Sequence, residues 1–119
     1  MVIIKIYSYP KVLPTVECLK GRRDQVGPSL EYTLGGHTYI GRNMNMGGWR
    51  LPKSKWSNPF SVKQYGRDEA IALYRNYILS TSELFYSLVE LTGKILLCWC
   101  KPEPCHGDVL IELYSQCVH

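Results

Sequence analysis

Apolar and polar positions fall into a few distinct rhythms along the chain. Val2 to Tyr7 is a short apolar run, rich in β-branched residues and interrupted by Lys5, which predicts an opening strand. Pro10 and Pro14 interrupt the chain after it, and the polar stretch from Lys20 to Pro28, with Gly21 and Gly27, reads as a loop. Leu30, Tyr32 and Leu34 then alternate with Glu31 and Thr33, and Thr38 and Ile40 alternate with His37 and Tyr39. Alternation on both sides of Gly35-Gly36 predicts a β-hairpin whose turn needs positive φ, which glycine adopts without a Cβ clash. From Arg42 to Gly66 no period is sustained, and Gly47-Gly48, Pro52 and Pro59 mark a long loop. Trp49, Trp56 and Phe60 argue against disorder there, because large aromatics are normally buried or bind something.

The C-terminal half is more regular. Ala70, Tyr74, Tyr77 and Ile78 follow helical spacing, with Asp68 and Glu69 at the end where the helix dipole favours negative charge. Ser80 and Glu83 have capping-box spacing and predict the start of a second helix, with Leu84, Leu88 and Leu91 on one face and Gly93 as its stop. Ile95-Leu96-Leu97 runs into Cys98-Trp99-Cys100, a continuous apolar run expected of an inner strand buried on both faces. Its period of two sends Cys98 and Cys100 to one side and Trp99 to the other. Pro102 and Pro104 make a rigid turn, and Asp108 opens a last helix with Leu110, Leu113 and Tyr114 on its apolar side. The order predicts an α/β fold: a single compact domain over residues 1–119, with a small mixed sheet, an N-terminal strand and hairpin, and three C-terminal helices.

Composition bounds this picture. At 119 residues and 45% hydrophobic the chain can bury one core. No apolar run approaches the roughly 20 residues that span a bilayer, and no leader precedes the first strand, so the expectation is an intracellular protein without a membrane partner. The net charge of +4 is mild, but its distribution is not. Arg42, Arg50, Lys53, Lys55, Lys63 and Arg67 all fall between Glu31 and Asp68, and no acidic residue does. Such a one-signed stretch suggests a phosphate-bearing partner; the plainer alternative is a solvated loop balanced by acids nearby in space.

The five cysteines are Cys18, Cys98, Cys100, Cys105 and Cys117. Crowding of three into one short segment fits a reducing compartment better than a secreted disulfide framework. Three readings of Cys98, Cys100, Cys105 and His106 stay open. They could hold zinc, although the usual Cys-x-x-Cys knuckle is missing and adjacent residues rarely aim at one ion. Cys105 could be a partly ionised thiol at a helix N-terminus, or His106 a proton carrier, with Asp108 beside them. Or the cysteines could simply fill the core. No cofactor is favoured. Cys105, which follows two prolines and precedes Gly107, is expected to be the most functionally exposed of the five, with Gly107 letting a ligand approach the backbone.

In the loop, Arg50, Lys53 and Lys55 interleave with Trp49 and Trp56. Cations hold phosphates and aromatic faces stack bases. The competing reading makes Trp56 and Phe60 packing anchors, with Asn58-Pro59 as a turn. Arg42 directly follows a predicted strand and is best placed to reach a pocket at the strand end.

Gly41-Arg42, Lys55-Trp56-Ser57-Asn58-Pro59-Phe60, Tyr74-Arg75, Gly93-Lys94, Cys98-Trp99-Cys100, Pro102 and Pro104-Cys105-His106-Gly107-Asp108 together resemble domain of unknown function family 4326, seen in bacteria, phages and large DNA viruses. The likeness covers roughly residues 37–116, leaving 1–36 as an extension or added strands. It carries no activity, but it implies that the loop and the Cys/His segment form one unit. The expectation is a protein that binds or processes a nucleotide, or a nucleotide-like group in nucleic acid. Arg42, Arg50, Lys53, Lys55, Trp56, Asn58 and Gly107 would bind the ligand, and Cys105, His106 and Asp108 would face it. The rivals are a zinc-stabilised module without catalysis and an adaptor that docks nucleic acid.

Overall fold

The computed structural model describes residues 3–4, 12–33 and 35–119. Its sheet has three strands, β1 (Thr15–Cys18), β2 (His37–Tyr39) and β3 (Ile95–Cys98), in the order β1-β3-β2. β3 pairs parallel with both neighbours, with Thr15 and His37 each opposite Ile95. Parallel neighbours need long crossovers, and the helices lie between β1 and β3: α1 (Arg23–Val26), α2 (Val62–Tyr65), α3 (Arg67–Ser80) and α4 (Ser82–Ser87), the last followed by a 3-10 turn over Leu88–Leu91. α5 (His106–Cys117) follows β3.

The α/β class, the compact body, the central strand and the C-terminal helices are as the sequence predicts. The hairpin is not. Leu30 to Thr33 form a chain of turns, with Leu30 at φ 64° and bonds from Leu30 N to Gly27 O (3.0 Å), Tyr32 N to Val26 O (2.9 Å) and Thr33 N to Leu30 O (3.2 Å). Those backbone groups are satisfied locally, so they have no need of a partner strand. Leu34 lies outside the described residues. Gly35 and Gly36 do take positive φ, at 85° and 71°, but they lead into a parallel ladder, in which Ile95 N donates to Gly36 O at 2.7 Å. Among the described residues, the antiparallel part of the expected mixed sheet is confined to a single bridge between Met44 and Leu51. The opening strand at Val2–Tyr7 falls mostly outside the described residues; Ile4, which is described, forms a parallel bridge with Val118.

β3 ends at Cys98, not Cys100, because its partners end there: Cys18 is opposite Cys98, and Tyr39 opposite Leu97. The alternation nevertheless continues. Leu96, Cys98 and Cys100 pack into the larger apolar cluster, and Ile95, Leu97 and Trp99 into the smaller one. The sheet is thus covered on both faces, as its unbroken apolar run requires. On the larger side α3 contributes a narrow stripe of Ala70, Tyr74 and Ile78, and α5 a wider one of Val109, Leu110, Leu113, Tyr114 and Cys117. A fully buried Leu of this kind stabilises by about 1.5–3 kcal/mol relative to exposure.

The capping box expected at Ser80 and Glu83 is also corrected. α3 runs through Ser80, whose hydroxyl turns back to donate to Asn76 O at 2.7 Å, and Thr81 precedes α4. A capping carboxylate occurs instead at α5, where Asp108 accepts from Cys105 N at 3.0 Å. No described helix is long and apolar enough to cross a membrane.

Candidate functional site

Three segments meet beyond the carboxyl ends of β2 and β3. Gly41 and Arg42 follow β2, Trp99 and Cys100 follow β3, and Cys105 and His106 open α5. Together with Asn58 and Phe60 from the long loop and Arg67 and Ile71 from α3, they line a cleft of about 320 Å³. This is where a parallel α/β sheet places ligands, because strand ends and helix starts converge there. No carboxylate side chain is among the lining residues, which carry two arginines and the rings of Tyr39, Phe60 and Trp99.

The arginines are held by backbone carbonyls. Arg42 donates through Nε (3.1 Å) and one terminal nitrogen (2.8 Å) to Asn58 O, and Arg67 donates to Pro104 O at 2.8 Å. These bonds use part of each five-donor fork and add no negative charge. Asn58 in turn donates to Ala70 O at 3.2 Å and accepts from Phe60 N at 2.9 Å, fixing the loop that presents Phe60. Trp99 Nε1 donates to Tyr39 Oη at 2.8 Å, and Tyr39 Oη donates to Arg42 O at 2.5 Å.

His106 lies between core and cleft. Its Nε2 is 2.6 Å from Ile40 O and its ring meets that of Tyr74 edge-on, with centroids 5.0 Å apart. Burial pushes its pKa below the usual value and the Arg42 charge acts in the same direction, against the Ile40 carbonyl and Asp108. The ring is therefore neutral at pH 7, with the proton on Nε2 and Nδ1 as the acceptor. No buried polar side-chain atom lacks a partner among the described residues, so Nδ1, which bonds to none of them, meets solvent. Because the unfolded chain takes up this proton near pH 6.5 and the folded chain only at lower pH, stability contributed by neutral His106 falls as pH drops below about 6.5. Urea unfolding from about pH 7 to about pH 5 should show that loss, and His106→Gln should flatten the slope; an unchanged slope would count against a buried neutral ring.

The thiols depart from expectation. Cys105 is 2% exposed, more enclosed than Cys18 and Cys100, which are partly exposed. Its sulfur lies 3.7 Å from that of Cys98. The hydrogen bond from Cys105 draws the Cys98 pKa down to about 6, and the same bond pushes Cys105 up. Helix position alone suggested the reverse, a Cys105 thiolate. The proximity of Cys98 across the strand–helix junction is the deciding influence, and it is invisible in a linear sequence.

Other expected site residues lie apart from the cleft. Asp108 accepts from Lys101 Nζ and from Cys105 N, so its carboxylate braces the turn containing Pro102 and Pro104. Gly107 is buried, and a Cβ there would stand 2.9 Å from both Ile40 Cδ1 and Val16 Cγ2. The space beside it belongs to the sheet. Trp56 is 2% exposed and belongs to the core. Lys55 pairs with Glu90 at 2.8 Å and 2.9 Å, the balance by a distant acid that the charge pattern left open. Arg50 and Lys53 are exposed and their side chains pair with no described residue. Of the four candidate zinc ligands, Cys98 and Cys105 adjoin and His106 turns its Nε2 to a carbonyl; no three His, Cys, Asp or Glu side chains group as a metal site among the described residues. Nothing in the sequence marks Arg67, Tyr39 or Trp99 as ligand-facing, and Cys100 stands out there only as a candidate zinc ligand. Arg67 stood out only as the last cation of the basic stretch.

A parallel α/β domain with a cationic, aromatic cleft at its strand ends thus unites the loop and the Cys/His segment. The chain belongs to the domain of unknown function family DUF4326, whose profile matches residues 31–116 and takes in every residue lining the cleft. Over 86 residues it is 51% identical to an uncharacterized protein of Acanthamoeba polyphaga mimivirus, covering 65% of this chain and 65% of that one. Over 65 residues it is 31% identical to an uncharacterized 12.4 kDa protein in the nrdA-td intergenic region of Enterobacteria phage T4, covering 51% of this chain and 60% of the phage protein. The chain thus spans less than two thirds of the length of these relatives. No solved structure matches it.

Proposed function

We propose that the cleft binds a nucleotide, free or as a nucleotide-like group in nucleic acid. The observation that carries this is a lining with two arginines and three aromatic rings and no carboxylate. Guanidinium groups bind phosphate oxygens through paired N–H donors, and aromatic faces stack on bases. A volume of about 320 Å³ suits one small ligand, not a duplex. Arg42 and Arg67 hold the phosphate, Trp99 and Phe60 contact the base, and the neutral Nδ1 of His106 accepts a hydrogen bond from the ligand. Arg50 and Lys53, exposed and outside the cleft, meet the neighbouring phosphates when the nucleotide belongs to a strand.

Tryptophan fluorescence titrated with nucleoside monophosphates and short single strands tests this reading. Arg42→Ala combined with Arg67→Ala should weaken binding at least about tenfold, since charge-assisted hydrogen bonds contribute about 1.5–3 kcal/mol each. Arg50→Ala with Lys53→Ala should weaken strand binding and lower its salt dependence, while leaving mononucleotide binding unchanged. No binding by the parent protein, or binding indifferent to the two cleft arginines, would remove the proposal.

A further inference from the structure

Two thiols that nucleotide binding leaves unused lie side by side. Cys98 ends β3 and Cys105 stands immediately before α5, with their sulfurs 3.7 Å apart. A disulfide bond is about 2.05 Å long, so joining them needs an approach of under about 2 Å. Both are buried, but Cys105 forms part of the cleft wall, which gives the pair a route to solvent. The Lys101 ammonium acts electrostatically on both sulfurs. Backbone N–H groups of Cys100 and Lys101 favour a charged Cys98, and that of Gly107 a charged Cys105. Such cationic and N–H-rich surroundings are those in which thiolates persist. At 3.7 Å one proton can be held between the two sulfurs, and the two thiols then titrate as a pair.

We propose that Cys98 and Cys105 form a dithiol that a small-molecule disulfide oxidises through the cleft, giving a reversible Cys98–Cys105 disulfide. The proton that Cys105 donates to Cys98 passes across to Cys98, and the Cys105 sulfur so freed, on the cleft side, attacks one sulfur of the small disulfide. The S–S bond of the reagent breaks, one thiolate leaves, and a mixed disulfide forms on Cys105. Cys98 then gives its proton to the departed thiolate, and its sulfur attacks that of Cys105, expelling the second thiolate. Two protein thiols lose two electrons, and one small disulfide becomes two small thiols. Closure draws the end of β3 toward the first turn of α5. That turn carries His106, and Pro104 just before it holds Arg67, so oxidation reshapes the cleft wall whatever the cleft binds.

The test uses the reduced full chain and oxidised glutathione, with subsequent alkylation of free thiols, digestion and mass mapping. The expected result is a Cys98–Cys105 linked peptide at least tenfold over any other pairing, reversed by dithiothreitol. Cys98→Ser should trap glutathione on Cys105. Glutathione confined to Cys18 and Cys100, with Cys98 and Cys105 alkylated only after unfolding, would overturn the proposal, and so would a dominant Cys100–Cys105 link. If Cys98→Ser fails to fold, the map of the parent protein decides alone. Nucleotide titration of the same samples is a separate readout, so loss of one reading leaves the other standing.

Discussion

Trp56→Ala is expected to cost about 3–5 kcal/mol of stability, the usual range for removing a large buried aromatic. The ring is 2% exposed within the main core, and Tyr74, itself fully buried, donates to the Trp56 carbonyl at 2.6 Å. The ring and its backbone thereby fasten the long loop to α3. A domain of this size has about 5–15 kcal/mol in total, so the variant stands near the edge of folding. Trp56→Phe, which keeps most of the buried area, should recover much of the loss. Arg50→Ala and Lys53→Ala, exposed and unpaired by described residues, should move stability by less than about 0.5 kcal/mol. Urea midpoints measure all four. A Trp56→Ala protein as stable as its parent, but deficient in nucleotide binding, would restore Trp56 as a stacking platform.

Gly107→Val should also destabilise strongly. A Cβ at this position meets Ile40 Cδ1 and Val16 Cγ2 at 2.9 Å and Cys105 Sγ at 3.3 Å. Overpacking of this kind costs about 1–3 kcal/mol. Gly107→Ala regains up to about 1 kcal/mol of helix propensity, so its net loss is smaller. Valine adds two more methyl groups and recovers less propensity, so its loss exceeds that of alanine. Thermal unfolding of both variants orders them. If both unfold like the parent and lose only ligand affinity, then Gly107 marks a close approach of ligand to backbone, not a packing contact.

The sequence was most legible where one element sees two apolar environments or one clear stripe. Ile95 to Cys98 is covered on both faces, and its unbroken apolar run announces that. Ala70, Tyr74 and Ile78 announce α3 in the same way. The hairpin expectation failed because alternation around Gly35-Gly36 is a local signal, whereas the true partner of His37–Tyr39 is Ile95–Leu97, far along the chain. Thr15–Cys18 carries little strand signal, because Pro14 stands just before it and only four residues pair. At the site, Arg42 and His106 were readable from their places after a strand and before a helix. Arg67 was not, because its role depends on α3 running beside the Pro104 turn. Nor could spacing tell that Cys98, seven residues from Cys105, would be its closest sulfur.

Because the central strand is also the last of the three, assembly of this domain runs against the order of synthesis. Among the described residues β1 and β2 do not pair with each other; each pairs with β3, tens of residues later. While the chain emerges from a ribosome, two unpaired strand edges and the apolar faces beside them wait for residues 95–98 before they can close. Contacts of such long sequence separation fold slowly and leave intermediates open to aggregation. A chain ending before β3 therefore leaves β1 and β2 without their shared partner, and a stop just ahead of Ile95, with most of the sequence already made, removes the pairing of both strands at once.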